Sequence, residues 1–156
     1  MNNENEVFRS VWERVSAPFG NGESGAVDAR AEMAAFIAGE DADADVYSAL
    51  ASMTRNTCAA RILRGIAADE RMHAKKLRTE YFLMYGESAA LMHTAPVKAT
   101  NLLTSLRARY WAEIEGEKRY REASERTESA LYSRLADNEA EHAALVSSLV
   151  TRMISC

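Results

Sequence analysis

The chain has 156 residues, 47% hydrophobic and 27% charged, with a net charge of −4, which suits one domain burying roughly two-thirds of its unfolded surface. That balance leaves no basic footprint for nucleic acid and no Lys/Arg cluster suited to a membrane surface, and no apolar run approaches spanning length. The two cysteines, Cys58 and Cys156, form no CxxC, which excludes a rubredoxin-type iron site or a zinc ribbon; a helix-packed thiol at 58 and a loose one at 156 are expected.

Residues 1–26 read as an N-terminal arm ending in Gly20, Gly22 and Gly25, and residues 27–156 as a single domain. The opening, MNNENEVFRSVWERV, lacks the charged-then-apolar pattern of a signal peptide, so the cytoplasm is the expected compartment. A first helix is expected from about Val27 to Met53, with Met33, Phe36, Ile37, Tyr47 and Leu50 as its apolar stripe. The pattern breaks around residues 54–57, where Asn56 or Thr57 can cap the next helix. That second helix is expected to reach Tyr85, with Leu63, Ile66, Ala67, Leu77 and Tyr81 on one face and Gly86 stopping it.

Residues 87–96 form the one sizeable connection. A third helix is expected from about Val97 to Ser124, with Leu103, Leu106, Tyr110 and Ile114 inward. The polar turn SERTES leads to a fourth, from about Ser129 to Met153, with Leu135, Leu145, Val146 and Leu149 inward. Two tight hairpins and one longer connection fit an all-α four-helix bundle with a crossover. About ten extended residues span at most ~35 Å, against ~40 Å for a helix of this length, so one flanking helix should stop short or the crossover should run slantwise.

The informative feature is what interrupts these stripes. Stepping by three or four from Phe36 and Ile37 lands on Glu40; from Ile66 and Ala67, on Glu70 and then His73. Tyr110 leads to Glu113, Glu117 and Tyr120, and Leu135 leads to Glu139 and His142. Ionisable groups buried unpaired cost several kcal/mol each. Two divalent metals would compensate: four carboxylates balance two Fe(II) ions, and two neutral imidazoles complete the set. Glu70–His73 and Glu139–His142 are each three residues apart, hence on one helical face, the Glu-x-x-His arrangement of di-metal bundles. Depth agrees: Glu40 and Glu70 lie 16 and 14 residues from Asn56, and Glu117 and Glu139 each lie 11 from Glu128.

The expected metal ligands are therefore Glu40, Glu70, His73, Glu117, Glu139 and His142, the same di-metal centre carrying any catalysis. Glu113, Tyr120 and Tyr47 are candidates for an additional ligand or for hydrogen bonds to the carboxylates, weighed against surface exposure for Glu113 and packing for the tyrosines. His93 reads as a loop histidine, and Asp41, Asp43 and Asp45 as a solvated face. Carboxylate and imidazole donors suit iron or manganese, and the lack of thiolates argues against structural zinc.

The segments AGEDADADVYSALA, IAADERMHAKKL, AEIEGEKRYREAS and LADNEAEHAALV resemble the four metal-bearing helices of the rubrerythrin branch of the ferritin-like superfamily. The resemblance implies a ferritin-like bundle of two antiparallel hairpins and a homodimer. It also implies two iron ions, with manganese or a mixed pair as alternatives, in an oxidative-stress oxidoreductase. Such a protein reacts with peroxide or dioxygen, or oxidises Fe(II). Its roles would be bridging for Glu70 and Glu139, terminal ligation for Glu40 and Glu117, and one imidazole per metal. Two departures stand out: no rubredoxin cysteines, so electrons would come from an external donor protein or Fe(II) itself, and Tyr120 where that branch carries a further glutamate. The alternatives are an iron-handling protein with little turnover, and an inactive interaction bundle.

Overall fold

A computed structural model describes residues 28–90 and 101–154, and among these it contains four helices and no strand. They are α1 (Ala29–Met53), α2 (Thr57–Tyr85), α3 (Leu102–Thr127) and α4 (Ala130–Ile154). The expected N-terminal arm, His93, Trp12, Cys156 and most of the long connection lie outside the described residues.

Local chemistry explains the boundaries. The Asp28 carboxylate accepts from the amides of Arg30 and Ala31, and Asn56 accepts from Ala59 at the start of α2, so each cap satisfies amides that have no partner within the helix. Gly86, at φ 71, ends α2 in the left-handed region that glycine adopts without a Cβ penalty. The third helix starts at Leu102 rather than Val97, because Asn101 takes extended backbone and its side chain accepts from Thr104. Its far end runs three residues past Ser124 to Thr127, shortening the polar turn to Glu128 and Ser129. Cys58, in the first turn of α2, is exposed rather than packed.

The chain divides into two compact units, one formed by residues 1–45 and 67–97, the other by residues 46–66 and 98–156. In the first, Met33, Phe36, Ile37, Ala74, Leu77 and Tyr81 are buried. Arg30 Nε donates to the Tyr81 hydroxyl at 3.0 Å and its guanidinium lies over the Tyr85 ring at 5.2 Å. Arg78 pairs with Asp41, which is therefore part-buried and not simply solvated.

In the second unit, Tyr47, Leu50, Leu63, Ile66, Leu106, Leu135, Val146 and Leu149 form the apolar interior. Full burial of a Leu or Ile side chain contributes about 1.5–3 kcal/mol. The helices α3 and α4 pack along one another: Arg121 reaches Asp137 at 2.8 Å, and Tyr120 stacks on Tyr132 at 6.0 Å. Alanines 123 and 136 are fully buried there, small enough to let helix surfaces approach.

The inward face of α3 differs from its apolar pattern. Leu103 and Ile114 are each 36% exposed and Trp111 is 60% exposed, whereas Leu106, Arg109, Glu113, Tyr120 and Ala123 are buried. Similarly on α4, Leu145 turns outward at 41% exposure while its neighbour Val146 is buried. Among the described residues, no helix is long and apolar enough to cross a membrane.

Candidate metal centre

Each unit buries a cluster of two glutamates and one histidine. In the first unit, Glu40 follows Phe36 and Ile37 on the buried stripe of α1, and α2 turns Glu70 and His73 inward one turn apart. His73 Nδ1 lies 3.1 Å from Glu40 Oε2 and 3.1 Å from Glu70 Oε2. Ligand atoms of these three residues all lie within 4.8 Å of one another. Burial pushes the Glu40 carboxyl up to about 8; the bond to His73 opposes this and the charge of Glu70 adds to it. Two carboxylates in so little solvent disfavour full ionisation unless a cation joins them.

In the second unit, α3 supplies Glu113, and α4 supplies Glu139 and His142, again one turn apart; all three are buried. Their ligand atoms too lie within 4.8 Å of one another. Glu113 Oε2 lies 3.5 Å from His142 Nδ1. The other oxygen, Oε1, accepts from the Tyr47 hydroxyl at 2.5 Å and from Arg109 Nη2 at 3.0 Å. The Arg109 guanidinium also lies over the Tyr47 ring, 5.1 Å from its centroid. Burial raises the Tyr47 phenol well above its ordinary value; Arg109 opposes that shift and Glu113 adds to it.

Gly116 makes room for this cluster. A Cβ there would sit 2.8 Å from Glu139 Oε2, so the glycine lets that carboxylate lie against the α3 backbone.

Five of the six expected ligands therefore fall into the two triads: Glu40, Glu70, His73, Glu139 and His142. Glu117 does not. Its side chain is 30% exposed and receives a hydrogen bond from Arg121 at 3.4 Å, and the buried carboxylate of α3 is Glu113 instead. Tyr47, weighed between packing and a hydrogen bond to a carboxylate, donates to Glu113, while Tyr120 is buried against Tyr132. Arg109 is the contributor that periodicity missed, because an arginine in a buried stripe is read as surface. The seven-residue spacing of Leu106, Glu113 and Tyr120, all at most 2% exposed, carried the signal for the true face.

The donor set fits a divalent first-row metal in each triad. Bonds of about 2.0–2.2 Å put neighbouring ligand atoms roughly 3–4 Å apart, and the His73 contacts lie within that range. Carboxylate oxygen with imidazole nitrogen, and no thiolate, is a donor set for Fe, Mn or Zn. No family model, no curated protein and no solved structure matches the chain; the burial and chemistry of these donors are what speak for a metal.

Proposed function

We propose that the chain is a di-iron carboxylate oxidoreductase of the rubrerythrin-like type, in which each triad holds one ion and which reacts with peroxide or dioxygen or oxidises Fe(II). The observation that carries this reading is that both units bury a Glu–Glu–His set with ligand atoms mutually within 4.8 Å. Bound iron would supply electrons to an oxygen substrate. The chain's own residues would hold the ions away from bulk water and, through the Tyr47 hydroxyl, keep a proton donor on Glu113. Glu113, as the buried carboxylate of its helix, takes the place that resemblance gives to Glu117.

A ferritin-like bundle of two antiparallel hairpins is the architecture that goes with this function. In support, the pairs Glu113–His142, Gly116–Glu139 and Arg121–Asp137 step in opposite directions along α3 and α4. So do Arg30–Tyr81 and Asp41–Arg78 along α1 and α2.

Anaerobic loading of the chain with Fe(II) tests the proposal. Uptake of close to two irons per chain is expected, falling to about one in His73→Ala and in His142→Ala. A wild-type chain that takes up none defeats it. A second reading, an iron-handling protein with little turnover, draws on Tyr120, which packs on Tyr132 at the position where resemblance leads one to expect a further glutamate. Peroxide consumption that stops when the loaded iron is oxidised, even with a reductant supplied, favours that reading; continued consumption favours the oxidoreductase.

A further inference from the structure

We propose that residues 7–15 of the N-terminal arm fold back onto the outer side of the α2 C-terminus and cover Phe82, Leu83 and Met84. These three follow one another in the last turn of α2 and are 54%, 73% and 56% exposed. Single apolar side chains on a surface are ordinary, but three exposed in succession mark a surface that something covers. Successive residues point about 100° apart around a helix. Together the three make the whole outer side of this turn apolar, while Tyr81 points inward and is buried.

Its own pattern and its point of attachment single out the arm as the occupant. Residues 7–15, VFRSVWERV, place Val7, Val11 and Val15 four apart and Phe8 and Trp12 four apart, two adjoining rows on one helical face. Arg9, Ser10 and Glu13 fall on the opposite face, with Arg14 at its edge. So short a segment holds no helix alone in water, so the stripe needs a surface to bury against. The described residues begin at Asp28. Two residues on, Arg30 bonds to the Tyr81 hydroxyl, lies over the Tyr85 ring and pairs with Glu87. The arm therefore joins α1 directly beside the apolar turn. Residues 16–27 between them reach up to ~40 Å, and Pro18, Gly20, Gly22 and Gly25 favour a reversal of chain direction. Charge agrees as well. The last turn of α2 has no basic residue, and Glu80 stands just before it, where the helix end is already negative. Arg9 and Arg14 of the arm supply the missing cations.

Tryptophan fluorescence of the full chain tests the proposal. The sequence has two tryptophans, so Trp111→Phe leaves Trp12 as the reporter. Its emission is expected to lie well to the blue of free tryptophan and to resist quenching by acrylamide, equally at every protein concentration. Adding Phe82→Ser and Leu83→Ser should shift the emission to the red and raise quenching severalfold. Helical circular dichroism should not change, because both side chains are exposed. If the double change disturbs the fold, Val11→Asp, which leaves α2 intact, is expected to expose Trp12 in the same way. Emission already red before the patch is altered, or emission that ignores Phe82→Ser and Leu83→Ser, overturns the proposal. Shielding that grows with concentration, alongside dimers in sedimentation, also overturns it and gives the patch to a second copy of the chain. Iron uptake is a separate measurement, so failure here leaves the two-metal reading standing.

Discussion

The two triads contain the same donors but are held in opposite ways. In the first unit, His73 Nδ1 lies 3.1 Å from both Glu40 and Glu70, and burial has driven the Glu40 carboxyl up to about 8. Negative charge has been packed together and part of it is neutralised by a proton. In the second unit, Glu113 is held by a guanidinium and a phenol. There the same problem is solved by protein groups before any ion arrives. A buried carboxylate crowded by another carboxylate and one bonded to a guanidinium look identical as sequence, and differ in what surrounds them.

The largest effect that separates the two concerns pH in the metal-free chain. Glu40 titrates at 4.5 in the unfolded chain and near 8 when folded. The folded state therefore holds this proton more tightly, and the associated stability is fully present below about pH 4.5 and lost as pH rises through about 8. The difference, 8 − 4.5, sets an upper bound of ~5 kcal/mol. Urea unfolding at pH 5 and pH 8.5 should show a loss of several kcal/mol, abolished in Glu40→Gln and reversed by Co(II). Equal stability at the two pH values would mean that the first triad is not a charge surplus.

A smaller loss is expected at the second triad. Tyr47→Phe removes a buried donor to a carboxylate, a change that costs about 1.5–3 kcal/mol. Denaturant midpoints should show it, without steepening the pH dependence assigned to Glu40. Should Tyr47→Phe be neutral, the short bond to Glu113 contributes little and Arg109 alone holds that carboxylate.

Gly116→Ala separates stability from binding. Alanine gains up to about 1 kcal/mol of helix propensity, while the new Cβ pushes on the end of the flexible Glu139 side chain. Thermal stability should stay within about 1 kcal/mol of wild type, and the absorption of Co(II) added to the chain should shift. An unchanged Co(II) spectrum would show that Glu139 is not held close to α3 when metal is bound.

The smallest effect is expected outside both clusters. Arg121 is 42% exposed and bridges Glu117 and Asp137, so Arg121→Ala should barely move the denaturant midpoint, and what change there is should vanish at high salt. Co(II) uptake should not change. Weakened Co(II) uptake would return Glu117 to the ligand set.

Among the described residues, the four helices and most of their boundaries were legible because they rest on local chemistry. Asn56 and Gly86 carry cap signatures that act within a turn, and α2 begins and ends where these residues stand. The stripes of α1 and α2 were legible for a second reason: apolar residues and buried residues coincide there. On α3 they do not. Trp111 and Ile114 face outward while Arg109 and Glu113 are buried, so apolar spacing pointed to the wrong phase and brought Glu117 forward in place of Glu113. Periodicity measures hydrophobicity, and a helix that buries an ion pair conceals its own inward face. The Glu-x-x-His pairs were legible because two donors one turn apart share a face whatever surrounds them.

The two-residue connection between α3 and α4 has a consequence for how this chain tolerates change. Glu128 sits at φ 55, a left-handed conformation that costs a non-glycine residue about 1 kcal/mol or more. Glu128→Gly would relieve that strain without altering the length of the connection. Adding a single residue would be another matter: α4 would have to turn by about 100° or slide by about 1.5 Å to stay packed, carrying Glu139 and His142 away from Glu113. Lengthening this connection therefore detunes the second triad long before it unfolds the helices, and chains of this kind should vary freely in residue type at 128 and 129 but not in residue count.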